Sequence, residues 1–120
     1  MSIRNKYTDL IDIPANGWTS ENKSSIEINL KYQDGMIGLK RGMLIHVIWW
    51  FDRAPRNILK NPLVKGGKDV GVFAMRSPHR PNPIALSLCE IIAIEKNVII
   101  VRGLEALDGS VVLDIKKAIN

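Results

Sequence analysis

The chain has 120 residues, of which 46% are hydrophobic and 24% charged, and a formal net charge of +5. That is enough chain for one domain, spanning residues 1–120, to bury a core without metal or disulfide support, and the balance excludes extensive disorder. A single cysteine, Cys89, excludes an internal disulfide, and no apolar run approaches the ~20 residues of a membrane span or forms a signal peptide, so a soluble protein of the reducing cytoplasm is expected.

In chain order, residues 1–25 are polar and broken by Pro14, Asn16 and Gly17. A loosely structured N-terminal segment is expected, in which only Leu10, Ile11 and Ile13 could make a short strand and Trp18 could pack back. Residues 26–30 alternate apolar and polar with period two, the pattern of a half-buried strand, and Asp34-Gly35 marks a turn. Residues 43–51, Met-Leu-Ile-His-Val-Ile-Trp-Trp-Phe, predict a central strand buried on both faces, with His46 a core histidine whose hydrogen bonds are satisfied. Residues 52–68, interrupted by Pro55, Pro62, Gly66 and Gly67, read as a connection with room for a helical turn around 57–60. A loop that long in a small domain is usually functional. Strands follow at 70–75 and 84–94, on either side of a proline-rich loop. Residues 95–97 then turn the chain into a hairpin with 98–102, and an Asp108-Gly109 turn leads into a last strand at 111–115. Six or seven strands with almost no helix favour an antiparallel barrel or sandwich.

Charge is concentrated in the middle of the chain. Between residues 53 and 80 stand seven basic residues, Arg53, Arg56, Lys60, Lys65, Lys68, Arg76 and Arg80, against one acid, Asp69. Such a segment suits a phosphate-bearing partner, although a merely solvated basic face has the same composition. At its end Pro78, Pro81 and Pro83 stiffen a loop that carries Arg76, His79, Arg80 and Asn82. Rigid planar donors suit a carboxylate or polyanion; a plain inter-strand connection with solvated arginines is the other reading. No glycine-rich nucleotide fingerprint or cysteine pair is present, and the two histidines lie on unlike segments, so no zinc, Walker or Rossmann site is readable. Ser77, His79 and Asp108 make a nucleophilic triad only on paper, and Cys89, in an apolar run, reads as a buried inert thiol. The arginines, planar groups and turn acids Asp52 and Asp108 that remain are suited to binding and aligning a ligand rather than to cleaving one.

Residues 71–87, Gly-Val-Phe-Ala-Met-Arg-Ser-Pro-His-Arg-Pro-Asn-Pro-Ile-Ala-Leu-Ser, closely resemble the signature of the TrmO family, also called TsaA-like or VirR-like proteins. Trp50-Phe51-Asp52-Arg53-Ala54 and residues 107–116, Leu-Asp-Gly-Ser-Val-Val-Leu-Asp-Ile-Lys, are similar to two further segments of that family, in the same order. The resemblance implies an all-β fold, a small antiparallel β-barrel that binds S-adenosyl-L-methionine without a Rossmann fold and works as a homodimer. It implies methyl transfer to the threonylcarbamoyl-adenosine beside the tRNA anticodon. Carried over onto matching positions, it implies cofactor contacts at Asp52, Arg53, Arg76, Leu86, Leu107, Asp108, Gly109 and Ser110, with Arg56, Lys60, Lys65, Lys68 and Arg80 facing the tRNA. Asp52, His79 and Asp114 are candidate proton acceptors, and no metal is expected. Two alternatives stand beside this reading: a non-catalytic RNA-binding or regulatory barrel, and a methyltransferase acting on a small molecule.

Overall fold

Period-two alternation decides the architecture. Along β3 (Leu44–Trp50), Ile45, Val47 and Trp49 are buried, whereas Leu44, His46, Ile48 and Trp50 are half-buried. The strand is therefore not covered on both faces, as its composition suggested. A closed barrel gives each strand one inner and one outer face, and the apolar even-numbered residues lie on the outer one. The computed structural model describes residues 1–4 and 22–119. In it β1 (Ser2–Arg4), β2 (Lys23–Glu27), β3, β6 (Ile84–Glu95), β7 (Val98–Arg102) and β8 (Val111–Lys117) form a closed antiparallel ring in the order β1-β2-β7-β6-β3-β8. Between β3 and β6, β4 (Lys60–Pro62) and β5 (Asp69–Gly71) make a separate two-stranded ribbon.

The barrel is filled by inward-facing aliphatic residues from its strands. Ile3, Ile26, Ile45, Val47, Ile91, Ile99 and Val101 are all fully buried. Two bulges, at Ile92 against β7 and at Leu113 against β3, bend the longest ladders as ring closure requires. The expected hairpin forms with Glu95 opposite Val98, and Lys96 takes a positive φ of 55° in its two-residue turn.

Four expectations need correction. Residues 2–4 are not loose: Ser2 pairs with both Glu27 and Val111, and Ile3 is wholly buried. A three-residue strand is too short to show a period, and this one is held by backbone bonds, Ile3 N–H to Ser110 O at 2.9 Å and Val112 N–H to Met1 O at 2.9 Å. Leu10, Ile11, Ile13 and Trp18 lie outside the described residues. The strand expected at 26–30 instead runs Lys23–Glu27, because the Asn29 side chain accepts the Lys31 N–H at 3.2 Å and starts a 3-10 turn, Leu30–Met36. No helical turn forms at 57–60, since Lys60 opens β4 opposite Gly71. Finally, strand 70–75 stops at Gly71: the Val72 N–H turns to Leu59 O at 2.9 Å and a second 3-10 turn, Val72–Ala74, replaces the ladder.

His46 also differs from its reading as a satisfied core residue. It lies on the outer face between Leu88 and Lys116, and its Nδ1 is buried without a hydrogen-bond partner among the described residues.

Candidate active site

Strand register gathers the distant motifs on one rim of the barrel. Trp50 pairs with Ile84 on one side and with Val111 on the other. The residues that follow β3, those that precede β6 and those that precede β8 therefore emerge together. The Phe51 N–H donates to Pro83 O at 2.8 Å, tying the first two segments, and the Gly109 N–H donates to Ile3 O at 2.7 Å, tying the third to β1. At Gly109 the chain takes a φ of +84°, a conformation that L side chains disfavour, which explains glycine in this turn.

Below that rim runs a cleft of about 990 Å³. It exists because β7 pairs with β6 only from Glu90 onward, leaving residues 84–89 of β6 with a strand neighbour on one side only. An unpaired strand edge presents backbone donors and acceptors to whatever lies beside it. Here the cleft is lined by the proline-rich loop and by Gly103 and Glu105. The floor is aromatic, with the Trp49 and Phe51 ring centroids 5.3 Å apart and their planes tilted by 38°. Trp49 Nε1–H donates to Ser87 Oγ at 3.0 Å, which satisfies the buried indole.

One arginine holds the loop against this edge and a second ties the loop to itself. Arg76 Nη2 donates to the Leu86 carbonyl at 2.6 Å, and Arg80 Nη1 donates to the carbonyls of Ser77 at 3.1 Å and Met75 at 3.3 Å. Glu105 also lines the cleft. Behind it the Cys89 thiol is fully buried, and burial first, then the Glu105 charge, push its pKa up to about 12. That is the inert thiol its apolar setting suggested.

The structure thus brings Arg76 and Leu86 into direct contact. Asp52 and Arg53 are exposed on the same rim, at the turn beyond Phe51, but do not line the cleft. Leu107 and Ser110 are buried and secure the rim, with Asp108 and Gly109 at its surface. The His79 N–H donates to Ser77 Oγ at 3.1 Å, and its buried Nδ1 has no partner among the described residues. Asp114 is apart from the others: it accepts the Ile115 N–H at 2.8 Å and borders a second cavity, of about 510 Å³, beside the Leu30–Met36 turn.

Of the basic residues, Lys60, Lys65 and Lys68 are exposed on the ribbon. Arg56 is exposed too but is held along the surface: Nε donates to Pro81 O at 2.7 Å, Nη2 to Asn82 Oδ1 at 3.0 Å, and the guanidinium lies 5.5 Å from the Trp50 ring. Sequence reasoning missed Trp49, Phe51, Ser87 and Glu105 as cleft residues. Counting by two from Ile45 turns Trp49 inward, but nothing local marks Glu105. Among the described residues, no three His, Cys, Asp or Glu side chains cluster as a metal site. Two aromatic rings, guanidinium groups, an acidic residue and an open backbone edge, lining one cleft, suit a zwitterion that carries a flat ring.

Residues 2–120 match the family described as tRNA-methyltransferase O N-terminal domain. The S-adenosyl-L-methionine-binding protein of Archaeoglobus fulgidus is 40% identical over 115 residues, covering 96% of this chain and 83% of that protein. A probable S-adenosyl-L-methionine-binding protein of Methanothermobacter thermautotrophicus is 40% identical over 114 residues, covering 95% and 82%. A crystal structure of TrmO from Pseudomonas aeruginosa superposes with a TM-score of 0.80 at 26% identity, covering 98% of this chain and 52% of that one. The chain spans about half the length of that structure, and 31% of a second Archaeoglobus fulgidus relative, a probable S-adenosyl-L-methionine-binding protein 39% identical to it.

Proposed function

The chain belongs to the tRNA-methyltransferase O N-terminal domain family, and on that premise we propose that it is an S-adenosyl-L-methionine-dependent tRNA methyltransferase whose cofactor lies along the open edge of β6. The observation that carries this reading is the Arg76 guanidinium held against the Leu86 carbonyl in a cleft that Trp49, Phe51 and Glu105 also line. These residues fit the cofactor's chemistry. The unpaired backbone edge and the rings of Trp49 and Phe51 suit a purine, the remaining N–H donors of Arg76 a carboxylate, and Glu105 a cationic centre. Asp52, Arg53, Leu107, Asp108, Gly109 and Ser110 complete the site from the rim. Bound S-adenosyl-L-methionine supplies a methyl group already activated on a sulfonium. The protein then has to hold the acceptor in line and take up a proton. Asp52, exposed on the shared rim, is placed for that better than Asp114, which borders the other cavity.

The acceptor in this reading is the threonylcarbamoyl-adenosine beside the tRNA anticodon, with the RNA crossing the lysines of the ribbon. The active form is a homodimer joined through the apolar outer face of β6 and β8, in the cytoplasm. Titration calorimetry with S-adenosyl-L-methionine tests the site: wild type binds, and Arg76→Ala loses at least about tenfold in affinity, as removal of a charge-assisted hydrogen bond requires. Unchanged affinity in the variant overturns the assignment. Thermal shifts with the cofactor and with bulk tRNA separate the alternatives. A response to tRNA alone means a non-catalytic RNA-binding barrel, and a response to cofactor alone means a small-molecule methyltransferase.

A further inference from the structure

The β4–β5 ribbon stands outside the cleft and carries its own unexplained feature. Directly after β5, the Val72–Ala74 turn buries Val72 and holds the Phe73 ring 83% exposed. The turn is fixed, because the Val72 N–H bonds to Leu59 O at 2.9 Å. The ring is therefore presented on a stem and packs into neither the barrel nor the ribbon. Lys60, opposite Gly71, lies at the same end of the ribbon as the ring, Lys65 and Lys68 are exposed in the connection at its other end together with Leu63 and Val64, and Asp69 is the one acid of the ribbon.

Two kinds of occupant could cover an exposed ring. A second copy of the chain, meeting ribbon to ribbon, would bring two sets of lysines together, which like-charge repulsion opposes. A nucleic acid brings phosphates to the lysines and a base to the ring. Aromatic side chains interleaved with cations are how single-stranded stretches are gripped, since every base has a face to stack. Position agrees as well: Phe73 is three residues from Arg76, so their Cα atoms are at most about 11 Å apart. A base on Phe73 would lie close to one entering the cleft.

We propose that Phe73 is a stacking platform for an unpaired RNA base, with Lys60, Lys65 and Lys68 on the flanking phosphates. This rests on the tRNA reading above and adds to it that the ribbon grips a single-stranded stretch. The test is fluorescence anisotropy with labelled single-stranded oligoadenylate and with a blunt RNA duplex of equal length, over a range of salt concentrations. Phe73→Ala should weaken oligoadenylate binding about tenfold and leave duplex binding and the salt slope unchanged, whereas Phe73→Trp should retain affinity. Joint Lys60→Gln, Lys65→Gln and Lys68→Gln substitution should instead lower the log–log salt slope by about 2. The ring is exposed, so the alanine variant keeps its fold. Wild-type affinity for oligoadenylate in Phe73→Ala, with tRNA still bound, overturns the platform alone. Failure of the wild type to bind any of these RNAs overturns the platform together with the tRNA reading. Loss of self-association in Phe73→Ala, with RNA binding intact, gives the ring to a second copy and also overturns the proposal.

Discussion

Arg56 illustrates how one side chain's geometry redirects a reading based on charge. Counted among the cations, it belongs with the lysines that would face RNA. Its donors to Pro81 O and Asn82 Oδ1 and its stacking on Trp50 make it instead a three-point brace between the proline-rich loop and β3. Lysine cannot reproduce a planar fork that stacks and bonds at once. Arg56→Lys should therefore weaken S-adenosyl-L-methionine binding about fivefold while leaving the salt slope of RNA binding unchanged; a phosphate-contacting arginine would do the opposite. Cys89 makes a second prediction at this scale. Its pKa is raised from 9.0 to about 12, so above about pH 9 an unfolded chain gives up the thiol proton while the folded one keeps it. Its stabilising contribution is whole below that pH and is lost as pH rises towards 12, with a slope approaching ~1.4 kcal/mol per pH unit. Urea unfolding at a series of alkaline pH values should show wild type losing stability relative to Cys89→Ala across this window. Parallel curves would mean that the thiol is not shielded.

At the scale of elements, legibility followed local signal. β3, the β6–β7 hairpin and β8 could be read from the sequence because β-branched runs, alternation and turn residues agree with one another there. β1 could not, since Ser2–Arg4 has one apolar residue and depends on backbone bonds to residues more than a hundred positions away. The ribbon was hidden for a different reason: Lys60–Pro62 has no strand composition and is a strand only because Asp69–Gly71 pairs with it. The site divides in the same way. Arg76 and Leu86 were visible in a rigid, unusual loop and the strand after it. The open edge that makes them a site was not, because it depends on where β7 stops. That happens at Arg102, where Gly103 takes a φ of +94° and leads the chain away from β6. Glu105 enters the cleft by that departure. Sequence patterns report which residues face a core; they do not report which strand ends early.

At the scale of the whole molecule, two exposed surfaces differ in character. The ribbon carries Lys60, Lys65 and Lys68 beside exposed Leu63 and Val64, whereas the outer face of β6 and β8 presents an apolar row, with Ile84, Leu86 and Leu88 exposed by 49%, 46% and 40% and Val111 and Leu113 by 52% and 46%. The register places Leu86 beside Ile48 and Leu88 beside His46, so the patch continues across β3, and Asp114 and Lys116 lie at its margin. An apolar centre with a charged margin is the anatomy of a protein–protein interface. Of the paired tryptophans, Trp49 turns into the core and Trp50 onto this face. Ile84, Leu86 and Leu88 line the cleft too, so a second copy seated on them would close the cleft from outside. Association and cofactor binding should then be linked, because a partner that covers the cleft excludes water from it. Leu113→Lys, at an exposed position of this face outside the cleft lining, should leave the thermal midpoint within a few degrees of wild type and shift sedimentation towards monomer. Affinity for S-adenosyl-L-methionine should fall with it, and in the wild type that affinity should rise with protein concentration. A monomeric wild type, or a monomeric variant with full affinity, would separate the apolar face from the site and leave the cleft complete within one chain.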